Sequence, residues 1–157
     1  MPVTPPLPAE TRPAIGGPLV AIPSRVACGF LSGVILLVLG AAAWLNPSTA
    51  GHGTHTQLGL PPCAWAQWFG KPCMTCGMTT SFAHAANLDF VSAFRAQPAG
   101  TVLCIVMSSV FWVSLHTAVT GSRAGAVVAR LLGTKAMILS GVILGGAWLY
   151  KVMTWNP

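Results

Sequence analysis

No charged residue interrupts the run from Val26 to Leu45, VACGFLSGVILLVLGAAAWL. A helix of roughly 20 such residues crosses the hydrocarbon core of a bilayer. Two further runs behave alike: Pro98 to Val119, PAGTVLCIVMSSVFWVSLHTAV, and Ala136 to Tyr150, AMILSGVILGGAWLY. The last reaches full length only by continuing through Lys151 toward Trp155, where a lysine near a helix end is expected to snorkel to the interface. Only 6% of the chain is charged and the mean hydropathy is +0.69. A soluble domain carries about 25% charged residues, so this chain cannot cover a water-facing surface. The expected fold is an all-α membrane protein with three transmembrane helices, about 26–45, 98–119 and 136–155. One or two short interfacial or re-entrant helices accompany them.

Residues 1–25, with PVTPPLPAETRPAIGGP, are Pro-rich, polar and too poor in apolar groups to pack a core. They read as a disordered cytoplasmic tail, with the first span acting as an uncleaved signal anchor. Residues 26–157 then form a single helical membrane domain. Arg12 and Arg25 precede the first span, and Arg123, Arg130 and Lys135 separate the second and third. Lys71, Arg95 and Lys151 lie on the other side, so the balance favours a cytoplasmic N-terminus. Trp44, Trp65, Trp68, Phe69, Tyr150 and Trp155 gather on that other side, as an outer aromatic belt would. The segment 46–97 is therefore expected to face outward. The net charge of +6 is spread singly over loops, which suits a topology signal and argues against a nucleic-acid partner.

Within 46–97, the stretch NPSTAGHGTHTQLGLPP reads as loop and CAWAQWFGK as a short interfacial helix. Pro72 is expected to open a helix over about 73–86. Asp89 suits the N-cap of a second short helix, Phe90 to Ala96, ending before Pro98. The chemistry concentrates in KPCMTCGMTTSFAH, residues 71–84, where Cys73 and Cys76 form a C-x-x-C pair.

The order Cys63, Pro72-Cys73-x-x-Cys76-Gly77-x-Thr79, Leu88-Asp89-Phe90 and Pro98 resembles a group of small bacterial membrane proteins, domain of unknown function 2752. Its usual motif is P-C-P-x-C-G-x-T-R, followed by G-D and N-P. The resemblance implies a bacterial inner membrane, multi-pass, and marks Cys63, Cys73, Cys76, Gly77, Thr79 and Asp89 as motif positions; it supplies no activity. This chain departs from it at Met74, Thr80, Leu88 and Gln97, which replace proline, arginine, glycine and asparagine.

Three chemistries suit the cysteines. In the first, Cys63, Cys73 and Cys76 bind zinc or copper(I), with a fourth ligand from His52, His55, Met74 or Met78. His84 lies eight residues past Cys76, about 12 Å along a helix, too far to share one ion. In the second, Cys73 attacks and Cys76 resolves in an envelope thiol–disulfide oxidoreductase. In the third, the motif only shapes the outer segment, since cysteine is also a small, often buried residue.

Cys28 and Cys104 read as filler inside spans. His116, near the end of the second span, is expected to reach water or a neighbouring serine or threonine, with a proton-handling or cofactor role as the alternative. Gly29-x-x-x-Gly33 and Gly141-x-x-x-Gly145 offer close helix packing, of spans one and three on each other, on a second copy or on another membrane protein. No P-loop, H-E-x-x-H or G-x-S-x-G motif is present, and Glu10 and Asp89 are the only acids. Paired-carboxylate catalysis within one chain is thereby excluded. The expectation is an accessory or structural component in the lipid bilayer rather than an independent enzyme.

Overall fold

A computed structural model describes residues 21–124 and 133–155. All regular structure among them is helical. Helices α1 (Ile22–Trp44), α5 (Pro98–Thr120) and α6 (Thr134–Met153) are long and apolar enough to span a membrane. Between α1 and α5 lie a 3-10 turn (Thr54–Leu58), α2 (Ala64–Phe69), α3 (Met78–Ala86) and α4 (Phe90–Ala96). Most of the expected N-terminal tail, residues 1–20, lies outside the described residues. Residues 22–25 are already helical, because Pro23 fits the first turn, where its missing N–H removes no bond.

The bundle is built on α1 against α5, which pack along much of their length. At one end Arg25 fastens them, its guanidinium donating to Ala118 O at 3.1 Å and Val119 O at 2.8 Å. At the other end α3 wedges between them. Phe82 and Ala85 of α3 share a buried cluster with Ala42 of α1, Ala93 of α4 and Cys104 of α5. Leu39 and Met107 pack onto that cluster, so α3 reaches at least a turn inside the ends of both spans. Small residues permit this approach. Gly100 of α5 faces Ser81 so closely that a Cβ there would lie 3.0 Å from its side chain. The Ser81 hydroxyl donates to Gln97 O at 3.0 Å, replacing solvent for a buried hydroxyl.

Helix α3 begins at Met78, five residues later than the expected start at Cys73. Residues 73–77 instead make consecutive tight turns, with Cys76 N–H donating to Cys73 O at 3.1 Å and Met78 N–H to Thr75 O at 3.0 Å. Gly77 closes them at φ +87°, a left-handed conformation that stops a helix from running through. Asp89 caps α4 by accepting from Ser92 N–H at 3.0 Å. Gly70, also left-handed, ends α2, and Gln97 in extended conformation separates α4 from α5.

The glycine pairs do not join α1 to α6. A Cβ at Gly29 would meet Ala118 of α5 at 3.8 Å, and one at Gly33, Gly141 or Gly145 would have nothing within 4 Å among the described residues. Helix α6 touches α5 at few places and is fastened mainly by its C-terminal end. There Lys151 turns inward instead of snorkelling: it is 5% exposed. Its ammonium donates to Gly51 O and Ala96 O, both at 3.0 Å. The reason is local. The last carbonyls of α4 lack intrahelical donors, and Lys151 supplies one. His116 meets Ser122 Oγ at 3.1 Å, and Ser108 and Ser109 bond back to carbonyls of their own helix.

Leu88 is the one described non-glycine residue with positive φ, +63°, and its side chain is exposed. It occupies the position where the resembled motif has glycine. A side chain in the left-handed region costs about 1 kcal/mol or more, so Leu88→Gly is expected to stabilise the protein by about that amount. Denaturant unfolding in detergent would read this, and an unchanged or lower midpoint would contradict the backbone argument.

Candidate metal centre

Two separate segments supply the cysteines. Cys63 is the N-cap of α2, its carbonyl accepting from Gln67 N–H at 3.1 Å. Cys73 and Cys76 sit in the tight turns before α3. Among the described residues, the three sulfurs form a group with every pair within 4.8 Å. Such a triangle contains a point no more than about 2.8 Å from each sulfur, against a zinc–thiolate bond of about 2.3 Å. Shifts of about half an ångström would close the triangle on an ion. All five cysteines of the chain are free, and Cys28 and Cys104 lie away from this group.

The turn is held from three sides. Gln97, fully buried, donates from Nε2 to Met74 O at 3.2 Å. Trp148 of α6 donates to Pro72 O at 3.2 Å, and Trp155 to Gly70 O at 3.1 Å. Thr54 and Thr80 join the loop to α3 through a buried hydroxyl pair at 2.7 Å. Thr80 thus has a polar partner where the resembled motif carries arginine. Gly77 cannot be replaced without movement: a Cβ would sit 2.7 Å from Gly51 O and 2.8 Å from Ala96 O.

The sulfurs open onto a cavity of about 570 Å³ that His52, His55, Met78 and Thr79 also line. His52 is partly buried, stacks on Trp155 with centroids 4.5 Å apart, and has a buried Nε2 with no hydrogen-bond partner among the described residues. His55 Nε2 is within 3.2 Å of Pro61 O. Met74 is half exposed and does not line the cavity. His84 is elsewhere, its Nδ1 3.4 Å from the Asp89 carboxylate. Asp89 and Pro98 act on the frame, the first capping α4 and the second opening α5.

The two turn cysteines differ in acidity. Burial pushes the Cys73 thiol up, but bonds from the Thr75 hydroxyl and N–H, and from Cys63 and Cys76, outweigh it and leave the thiol below its ordinary value. Burial pushes the Cys76 thiol up to about 12, more than its bond with the Cys73 backbone offsets. Alkylation of the reduced, metal-stripped protein at mildly alkaline pH should therefore modify Cys73 well before Cys76, as read by peptide mass. Equal rates would refute the asymmetry. The linkage has a definite sign. Folded Cys76 keeps its proton where the unfolded chain has lost it, so its contribution falls as pH rises from about 9 toward about 12.

Sequence reasoning named the three cysteines that the structure brings together, with His52, His55, Met74 and Met78 as alternatives for a fourth ligand. It missed what holds the turn: Thr54, the side chain of Gln97, Trp148 and the inward turn of Lys151. A signal for the last was present. Trp148, Lys151 and Trp155 are three and four residues apart, a spacing that puts three N–H donors on one helical face.

No curated protein and no solved structure matches the chain. The model of a family described as "Protein of unknown function (DUF2752)" matches residues 63–111, from the first cysteine of the cluster to the middle of α5, and is the family that the cysteine motif resembles.

Proposed function

We propose that this chain is a multi-pass protein of a bacterial inner membrane that holds one zinc or copper(I) ion at Cys63, Cys73 and Cys76, facing outward. The convergence of three sulfurs from two segments within 4.8 Å carries this reading. Thiolates are soft ligands that select zinc or copper(I) over hard cations. His52 is the fourth ligand of choice: its nitrogens lie outside the 4.8 Å sulfur group, but it lines the same cavity, and a shift toward the sulfurs would satisfy its orphaned, buried Nε2. Met78 lines that cavity as well and suits copper. Bound there, the ion would tie α2 to the turn before α3, an accessory or structural role at the membrane surface. The outward orientation draws support from Arg25 and Arg123 at the opposite end of the bundle and from the tryptophans at this one.

A second reading, thiol–disulfide exchange, is favoured by one observation: Cys73 is the more acidic thiol and Cys76 the buried, less acidic one, as attacking and resolving thiols would be.

Elemental analysis of the purified wild type beside Cys76→Ser and Cys63→Ser decides between them. About one zinc or copper per chain, lost in both variants, is the expected result. Metal-free wild type would overturn the metal reading, and a reducible Cys73–Cys76 disulfide in its place would favour the second.

A further inference from the structure

The cysteine end carries a buried positive charge that no acidic side chain among the described residues balances. Lys151 is 5% exposed, and its ammonium has three N–H donors, of which Gly51 O and Ala96 O take two. Asp89, the one acid among the described residues, is occupied with Ser92 N–H and His84. Carbonyl dipoles alone are meagre compensation for an ammonium withdrawn from water. A cation over the Trp155 ring, 6.0 Å from its centroid, gains only a little more.

What faces this charge is the cysteine turn. A Cβ on Gly77, the residue after Cys76, would lie 3.3 Å from Lys151 Nζ. Lys151 is also within electrostatic range of Cys76 itself. Three thiolates around a metal ion make a centre of net negative charge, which such a neighbour stabilises. With Zn(II) the cluster has one net negative charge, and with Cu(I) it has two.

We infer that Lys151 is the counter-ion of the metal–thiolate cluster, a positioning residue on the third span that makes an anionic centre tolerable where water is scarce. This assignment rests on the metal reading above. Lys151 touches no metal ligand atom in this role: it acts through charge, and through the two carbonyls that frame Gly77.

Charge and fastening predict different outcomes. At a pH where the free site holds three protonated thiols, binding releases three protons and creates the whole cluster charge. Loss of a unit positive charge should then weaken a doubly negative cluster by twice the free energy that it costs a singly negative one. If Zn(II) affinity falls about tenfold, Cu(I) affinity should fall about a hundredfold, since the fold-change squares. A residue that only fastens the loop would weaken both metals alike.

The test uses the full-length protein in detergent, stripped of metal under reductant, then titrated with Zn(II) alone and with Cu(I) alone against chromophoric competitor chelators. Lys151→Met removes the charge at similar length, and Lys151→Gln keeps N–H groups for the carbonyls. Lys151→Arg keeps the charge. The expected result is the unequal fall in Lys151→Met and Lys151→Gln, with Lys151→Arg close to wild type. An equal fall for both metals, or none, in whichever neutral variant remains monodisperse would overturn the counter-ion role while leaving the metal site standing. Wild type that binds neither metal would overturn the metal reading itself, and the role of Lys151 with it.

Discussion

A single ammonium ties together parts of this protein that are far apart in sequence. Lys151 bonds the carbonyl of Gly51 in the long loop and that of Ala96 at the end of α4. The same two carbonyls form the floor beneath Gly77, where any side chain would collide. The third span, the loop and the cysteine turn therefore share one small set of polar contacts. Within a mostly apolar bundle such contacts are scarce and each is nearly obligatory, because a buried donor or acceptor without a partner costs about 1–3 kcal/mol. The position of the sulfurs is a result of that arrangement.

Small side chains do the rest. Ala83, Ala85, Ala93, Ala96 and Gly100 let α3 and α4 press against α5, with Phe82 as the only large side chain in the buried cluster. Close approach replaces bulk as the source of packing, which suits a protein whose surroundings are as apolar as its interior. Thr54, Thr80, Ser81 and Thr101 contribute hydroxyls that bond one another or nearby carbonyls, so the interior is polar in places without being wet.

The spans were legible in the sequence because bilayer thickness imposes one length on any apolar helix, and Val26–Leu45 or Pro98–Val119 announce it directly. The cysteine cluster was legible through its spacing, and Asp89 through its place before an amphipathic stretch. The helix expected from Cys73 was not a local error of propensity. It starts only after Gly77, whose left-handed φ separates it from the turns over 73–76. The carbonyls of residues 51 and 96 that leave no room for a side chain there come from distant parts of the chain. Lys151 misleads for the same reason. Read alone it is a lysine close to a helix end, with water the obvious destination; only the folded chain offers it Ala96 O and Gly51 O instead. Gly141 and Gly145 carry a packing pattern, yet the described chain places no neighbour against either.

The order of synthesis gives the fastening at the cysteine end a particular meaning. Trp148, Lys151 and Trp155 contact Pro72, Gly51, Ala96 and Gly70, partners made 55 to 100 residues earlier. Chains emerge from the ribosome and enter the membrane from the N-terminus onward. The three cysteines are therefore synthesised before the groups that brace their turn. The bracing of this end waits on α6, which makes that helix the closing element among those described, whatever else it does.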